Sequence, residues 1–159
     1  MGETKIITAE SGKELIVTRT FDAPLSKVWH AWTNATELDK WWAPKPWKAV
    51  TKEFDFSEGG YWLYAMQGPE GDKQWCIVRY HAIEEGKSFS SSDAFSDDEG
   101  NVDDSMPVMQ WHNAFEEQDV KTLYTATLTF ETEEALNKIV AMGFKQGFTM
   151  GLNNLDEIL

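Results

Sequence analysis

The sequence predicts an α+β domain in which one antiparallel sheet packs against an amphipathic C-terminal helix. Three observations carry this expectation. Seven segments have strand character, and six of them follow one another with only turn signals between. Two short helical segments separate the first strand from these six. The last segment, Glu133 to Leu159, changes to helical spacing.

Leu15-Ile16-Val17-Thr18-Arg19-Thr20-Phe21 is rich in β-branched residues and reads as the first strand. Asp22-Ala23-Pro24 stops it, because proline has no N–H for a ladder and presets φ for a helix start. Leu25, Val28, Trp29 and Trp32 then recur at helical spacing, giving a short helix to Thr33. Asn34 followed by Glu37 forms a capping-box pattern for a second short helix carrying Leu38, Trp41 and Trp42. Pro44 and Pro46 end it.

Strands are expected at Lys48 to Phe56, Tyr61 to Gln67, Gln74 to Glu85, Ser88 to Phe95, Met106 to Glu117 and Val120 to Phe130. Ser57-Glu58-Gly59-Gly60, Gly68-Pro69-Glu70-Gly71-Asp72 and Glu85-Gly86-Lys87 are the turns, and Gln118-Asp119 closes the last hairpin. A period of two along Tyr61 to Gln67 puts Trp62, Tyr64 and Met66 on one face and Tyr61, Leu63 and Ala65 on the other. The final helical segment is expected to break near Gly143. Beyond it, Phe144, Phe148, Leu152, Leu155 and Leu159 fall in one arc of about 80°, with Lys145, Asn153 and Asp156 opposite.

Composition narrows the function. The 159 residues suit a single domain spanning 1–159, with its core from about Leu15 onward. Fourteen basic against 27 acidic side chains give a net charge of −13, which disfavours nucleic acid and anionic membrane surfaces alike. The lone Cys76 leaves no internal disulfide and no cysteine-based zinc cage. With no apolar core of a secretion signal in Met1 to Glu10, a cytoplasmic location is expected.

Three features stand out chemically. Gly143, Gly147 and Gly151 recur every fourth residue, although each glycine inside a helix costs about 0.8–1 kcal/mol relative to alanine. They signal either close backbone packing or room left for an apolar cavity. The eight tryptophans exceed what a core of this size uses, and indole combines apolar area with an N–H that wants a partner. Trp62 and Tyr64 on their alternating strand, and Trp111 beside His112, are the pocket candidates, although a one-residue register change would turn His112 outward. Finally, no Lys or Arg occurs between Lys87 and Lys121, where Asp93, Asp97, Asp98, Glu99, Asp103, Asp104, Glu116, Glu117 and Asp119 accumulate. Asp97-Asp98-Glu99-Gly100-Asn101 does not fit a calcium loop of the EF-hand type, since Val102 stands where the sixth-position glycine belongs. A solvated acidic loop that blunts a strand end is the expectation.

Catalytic patterns are sparse. His30, His81 and His112 belong to no zinc-binding motif, no nucleophile elbow or phosphate-cradling glycine loop occurs, and Cys76 between Trp75 and Ile77 reads as a small core hydrophobe. No metal or other cofactor is expected.

Phe21-Asp22-Ala23-Pro24, Val28-Trp29, Ala31-Trp32-Thr33 and Trp41-Trp42-Ala43-Pro44 together resemble the SRPBCC (START-like, birch-pollen-allergen-like) superfamily. Within it, the chain is similar to the family of the activator of heat-shock-protein-90 ATPase, C-terminal domain. Gly59-Gly60, Met66 to Gly71, Phe95 to Asn101 and Met142 to Phe148 extend the likeness over nearly the whole chain. The resemblance implies a helix-grip fold, a curved sheet of about seven strands wrapped around a long C-terminal helix with a cavity between them. It also implies a binder of apolar small molecules, and it carries no catalytic motif.

The expected function is therefore non-enzymatic binding of an apolar small molecule, with Trp41, Trp62, Tyr64, Met66, Trp111, His112, Phe144, Phe148 and Leu152 as the candidate lining. A co-chaperone-like interaction domain using the acidic stretch is the alternative, and an enzyme acting through His81 or His112 the third reading. A monomer is expected, or a homodimer formed through exposed aromatics near Trp41, Trp42 and Trp47.

Overall fold

The structure, a computed structural model, describes residues 3–159, so the first two residues of the expected domain span lie outside it. Among the described residues the elements run β1 (Lys5–Thr8), β2 (Glu14–Phe21), α1 (Leu25–Thr33), α2 (Ala35–Trp41), β3 (Lys48–Phe54), β4 (Tyr61–Gln67), β5 (Lys73–Glu84), β6 (Ser88–Ser96), β7 (Met109–Gln118), β8 (Lys121–Thr129), α3 (Glu133–Ala141) and α4 (Phe144–Ile158). All eight strands form one antiparallel sheet in the order β1-β2-β8-β7-β6-β5-β4-β3. Each hairpin pairs neighbours in sequence. The closing pair is β2 with β8, from Glu14 opposite Thr129 to Phe21 opposite Thr122.

The sheet has eight strands where about seven were expected. The addition, β1, is a four-residue edge strand whose Ile7 is exposed, too short and too half-solvated to stand out in the sequence. The expected strand from Met106 begins instead at Met109, because Pro107 has no N–H to give a ladder. The hairpin turn is Asp119-Val120, with Asp119 in the left-handed region at φ 58°.

Local chemistry sets the helix ends. Asn34 Oδ1 accepts the Glu37 backbone N–H at 3.2 Å, the capping bond its position predicts. Thr132 does the same for α3, accepting from the Ala135 backbone N–H at 3.0 Å. Between α3 and α4 the backbone turns at Gly143, whose φ of 93° suits glycine and breaks the helix at the expected place.

One concave face of the sheet holds the main core. Residues alternate strictly on β2 and β8, so Leu15, Val17, Arg19 and Phe21 turn inward with Thr122, Tyr124, Ala126 and Leu128. The α1 tryptophans cover part of this face. Trp29 meets Phe56, Phe89 and Phe115 edge to face, at centroid distances of 6.0, 5.9 and 5.4 Å, and Trp32 stacks on Tyr124 at 4.5 Å. α2 packs on β3, with Asp39 accepting from the Thr51 backbone N–H at 3.1 Å, and α3 and α4 lie over the chamber.

The convex face carries a second, smaller apolar cluster of Leu63, Ile77 and Ala94 with Tyr61 and Trp75 against it. The acidic loop folds over this cluster. A Cβ on Gly100 would stand 3.1 Å from Ile77 Cδ1, so the loop backbone lies directly on the sheet. Asp97 shapes the loop by accepting from the backbone N–H groups of Glu99 (2.9 Å) and Asn101 (2.8 Å) and from Asn101 Nδ2 (2.9 Å). Those Asn101 bonds hold the Asp97 carboxyl below the usual carboxylate range. The acidic side chains at Asp97, Asp98, Glu99, Asp103 and Asp104 are exposed, as expected, while the loop that bears them is an anchored cover.

Candidate functional site: an apolar chamber under the C-terminal helix

Two contacts fasten the second half of α4. Arg19, buried on β2, donates to Thr4 Oγ1 and Asn153 Oδ1, both at 2.7 Å, and pairs with Asp156. Asn154 Nδ2 donates to the Ala43 carbonyl at 3.0 Å, tying the helix to the segment after α2. Gly151 lets the helix in this close: a Cβ there would stand 3.0 Å from the Trp42 carbonyl oxygen. The first half of α4 is different. A Cβ on Gly147 would find Pro44 Cγ as its neighbour at 3.8 Å, an ordinary contact, and Gly147 lines a cavity. Both readings of the glycine edge therefore hold, at different glycines.

The cavity measures about 220 Å³. Its floor is the concave sheet face, with Tyr64 and Met66 from β4, Cys76 from β5, Asp93 and Phe95 from β6, and Met109 and Trp111 from β7. Its roof is Ile139 and Met142 with Gly143, Phe144, Gly147 and Phe148, and Trp42 and Pro44 form a side wall. Exposed Met142 marks where the chamber reaches the surface. The volume lies below the roughly 300–1,000 Å³ of pockets for drug-sized ligands, which suits a compact molecule.

The strand registers explain the floor. Tyr64 stands opposite Cys76 and Cys76 opposite Phe95; one step along, Trp62 opposes Val78, Val78 opposes Asp93, and Asp93 opposes Met109; beyond that, Tyr80 opposes Ser91 and Ser91 opposes Trp111. These rows point inward by the period of two. A second space of about 20 Å³ adjoins the chamber, lined by Trp32, Trp62, Tyr80, Ser91, Asp93, Trp111 and Asn113 among others. Trp42, Asp93 and Trp111 belong to both walls.

A few polar groups interrupt the apolar lining. Trp42 Nε1 donates to Tyr64 Oη at 2.8 Å, and Ser91 Oγ donates to Asp93 Oδ1 at 2.9 Å. Burial of Asp93 pushes its carboxyl up to about 7, with the Ser91 bond pulling weakly the other way. Burial also pushes the Cys76 thiol up to about 12, so it is an uncharged wall group and no thiolate nucleophile. Tyr64 is raised well above the ordinary phenol range by the same desolvation.

Of the residues expected in the site, Tyr64, Met66, Trp111, Phe144 and Phe148 line the chamber, and Trp62 lines the small adjoining space. Trp41 lies outside both: its indole packs on Trp32 and donates to the Ala31 carbonyl at 3.0 Å. Leu152 is fully buried in the fastened half of α4. His112 is corrected outright. It pairs with Ser90 and Thr127 on the convex side and is exposed, because the register that turns Trp111 inward must turn its neighbour out. His81 is exposed too, at 2.6 Å from Ser92 Oγ. The aromatic surface suggested for a homodimer also changes: Trp41 is buried, Trp42 lines the chamber, and Trp47 packs against Gly68. Trp42, Cys76, Asp93 and Met109 were not foreseen as lining. Phe89, Ser91 and Asp93 alternate on one face of β6, and that period was the signal that places Asp93 inside.

A curved antiparallel sheet that grips a C-terminal helix and leaves a chamber between them defines the helix-grip class. The family model of the Activator of Hsp90 ATPase homolog 1-like protein matches residues 22–159, and the chain belongs to that family. Among solved structures it is similar to protein Ms6760 from Mycobacterium smegmatis, at 29% identity and a TM-score of 0.90, covering 99% of this chain and 97% of that one. A protein from Arthrobacter aurescens gives 28% identity and a TM-score of 0.90 over 96% of this chain and 88% of its own. One from Staphylococcus epidermidis gives 32% identity and a TM-score of 0.85, covering 98% and 93%. No curated protein matches the sequence. Among the described residues, no helix is long and apolar enough to cross a membrane.

Proposed function

We propose that the protein binds a compact apolar small molecule in the chamber under α4, as a carrier, sequestering agent or sensor and without catalysis. The observation that carries this reading is the chamber of about 220 Å³ itself, walled by Met66, Phe95, Met109, Trp111, Phe144 and Phe148. A sheet and helix of complementary shape exclude such space, since protein interiors pack to crystal-like density. Burying a ligand's apolar surface there supplies affinity at roughly 25 cal/mol per Å². Of the perturbed groups in the wall, Tyr64 and Cys76 are held neutral, which serves binding rather than nucleophilic chemistry.

Native mass spectrometry of freshly purified protein, beside the same sample denatured, tests the proposal. An adduct that disappears on denaturation supports it and gives the ligand's mass. A bare chain that also takes up no apolar probe on titration overturns it.

A second reading has one favouring observation, the exposed acidic side chains on the loop that Asp97 holds in shape. Such a patch suits a basic protein partner, in keeping with a co-chaperone-like role in the cytoplasm. An unchanged ATPase rate of the chaperone on titration with this protein at low salt removes it.

A further inference from the structure

The chamber's polar corner is unfinished. The indole N–H groups of Trp32 and Trp111 are buried with no hydrogen-bond partner among the described residues, and both rings line the small space of about 20 Å³. Buried N–H donors are normally satisfied, so two beside one space point to an acceptor that belongs there. Asp93 contributes the complementary group. Asp93 is a buried residue whose carboxyl accepts a single hydrogen bond among the described residues, from Ser91, which leaves acceptor capacity on a group that lines both spaces. Ser91 is the cross-strand partner of Trp111, and Asp93 lies two residues further along the same face, so Asp93 and Trp111 are diagonal neighbours on the wall of one space.

The space fits one oxygen-sized group, since a single water needs roughly 10–15 Å³. A hydroxyl oxygen accepts from indole N–H and donates its own hydrogen to a carboxyl oxygen of Asp93, so one atom satisfies both sides. An ammonium has no lone pair for the indoles, and above pH 7, where Asp93 is ionised, a carboxylate would set a second anion against it. We infer that the ligand is a neutral apolar molecule ending in one hydroxyl, an alcohol or phenol, whose body fills the chamber and whose hydroxyl sits between Asp93 and Trp111. This inference rests on the binding function proposed above.

The test compares 2-naphthol, naphthalene, naphthalen-1-ylmethylammonium and 2-naphthoate by calorimetric titration of the whole protein at pH 8, where Asp93 is ionised. In a purely apolar cavity the hydroxyl is a handicap, because its desolvation is uncompensated. The expected result is that 2-naphthol binds about tenfold tighter than naphthalene, the worth of one well-made hydrogen bond. Trp111→Phe keeps an aromatic ring, smaller than indole, and removes the N–H, and Asp93→Leu removes the carboxyl. Each should bring the two affinities to within about twofold. Near-ultraviolet circular dichroism identifies a variant that does not fold, and the other then decides. In ¹H–¹⁵N spectra the Trp111 indole signal, assigned by its loss in Trp111→Phe, should move with 2-naphthol and stay with naphthalene. Equal binding of 2-naphthol and naphthalene to the unaltered protein overturns the inference and leaves the apolar-binding function standing, with a resident water as the corner's occupant. Preference for the ammonium or the naphthoate overturns it equally. Binding of none of the four overturns both.

Discussion

From Gly151 onward, α4 lies on backbone and is held by Arg19, Asp156 and Asn154, whereas from Gly143 to Phe148 it arches over about 220 Å³ of space. The two halves share one amphipathic pattern and one glycine spacing. What separates them is the surface each meets: the carbonyl of Trp42 under Gly151, and the side of Pro44 beside Gly147. A helix can thus be rigidly docked and still roof a chamber, because the fastening is at one end. The same contrast governs what substitutions should do.

The largest effect is expected from breaking the fastening. Asp156→Ala leaves Arg19 buried without its anion, and such a break costs about 3–5 kcal/mol. Chemical denaturation should show that loss as a lower midpoint with an unchanged slope.

The floor of the chamber makes the next prediction, through pH. Asp93 binds its proton up to about 7 in the folded protein, against 3.8 for an ordinary aspartate. Between those values the folded chain holds a proton that the unfolded chain releases, so this contribution is full below about pH 4 and is lost as pH rises toward 7. Tyr64, Cys76, Tyr80 and Tyr124, the titratable groups that act with Asp93, are all raised by burial and stay neutral across this window, and α4 presents none. The difference in stability between the unaltered protein and Asp93→Asn should shift by about 2–4 kcal/mol in favour of Asn from pH 4 to pH 8. A flat difference would place Asp93 in water.

Smaller effects come from the two glycines, and their signs should be opposite. Gly151→Ala forces a Cβ to 3.0 Å from a backbone oxygen, so the helix must lift, at about 1–3 kcal/mol. Gly147→Ala gains helix propensity without a clash and should stabilise by about 0.5–1 kcal/mol while narrowing the chamber. Thermal melts of both variants, with probe affinity measured on the second, test the comparison. If both destabilise alike, the two halves of α4 are not different.

Most of the element order was legible because its punctuation is local. Pro24, the Asn34 cap, the glycine turns and the break at Gly143 act within a few residues of themselves. The faces were harder. Trp111 and His112 differ by one position, and only pairing with β6 and β8 decides which of them looks inward. Asp93 was hidden for another reason: counted by charge it joins an acidic surface stretch, yet counted by alternation it follows Phe89 and Ser91 into the core. Arg19 was read as a strand residue, and its role depends on Asn153 and Asp156, more than 130 positions away. Trp41 and Leu152 share the apolar stripes of their helices, and no periodicity says which part of a stripe meets space and which meets atoms.

The bond from Trp42 to Tyr64 and the position of Trp111 put two of the eight indoles in the chamber wall, while Trp29 and Trp41 are locked among other rings away from both spaces. The native protein consequently carries its own unlabelled optical gauge. Whatever enters the chamber changes the polarity beside Trp42 and Trp111 and so the colour of their ultraviolet emission, against a constant background from the enclosed rings.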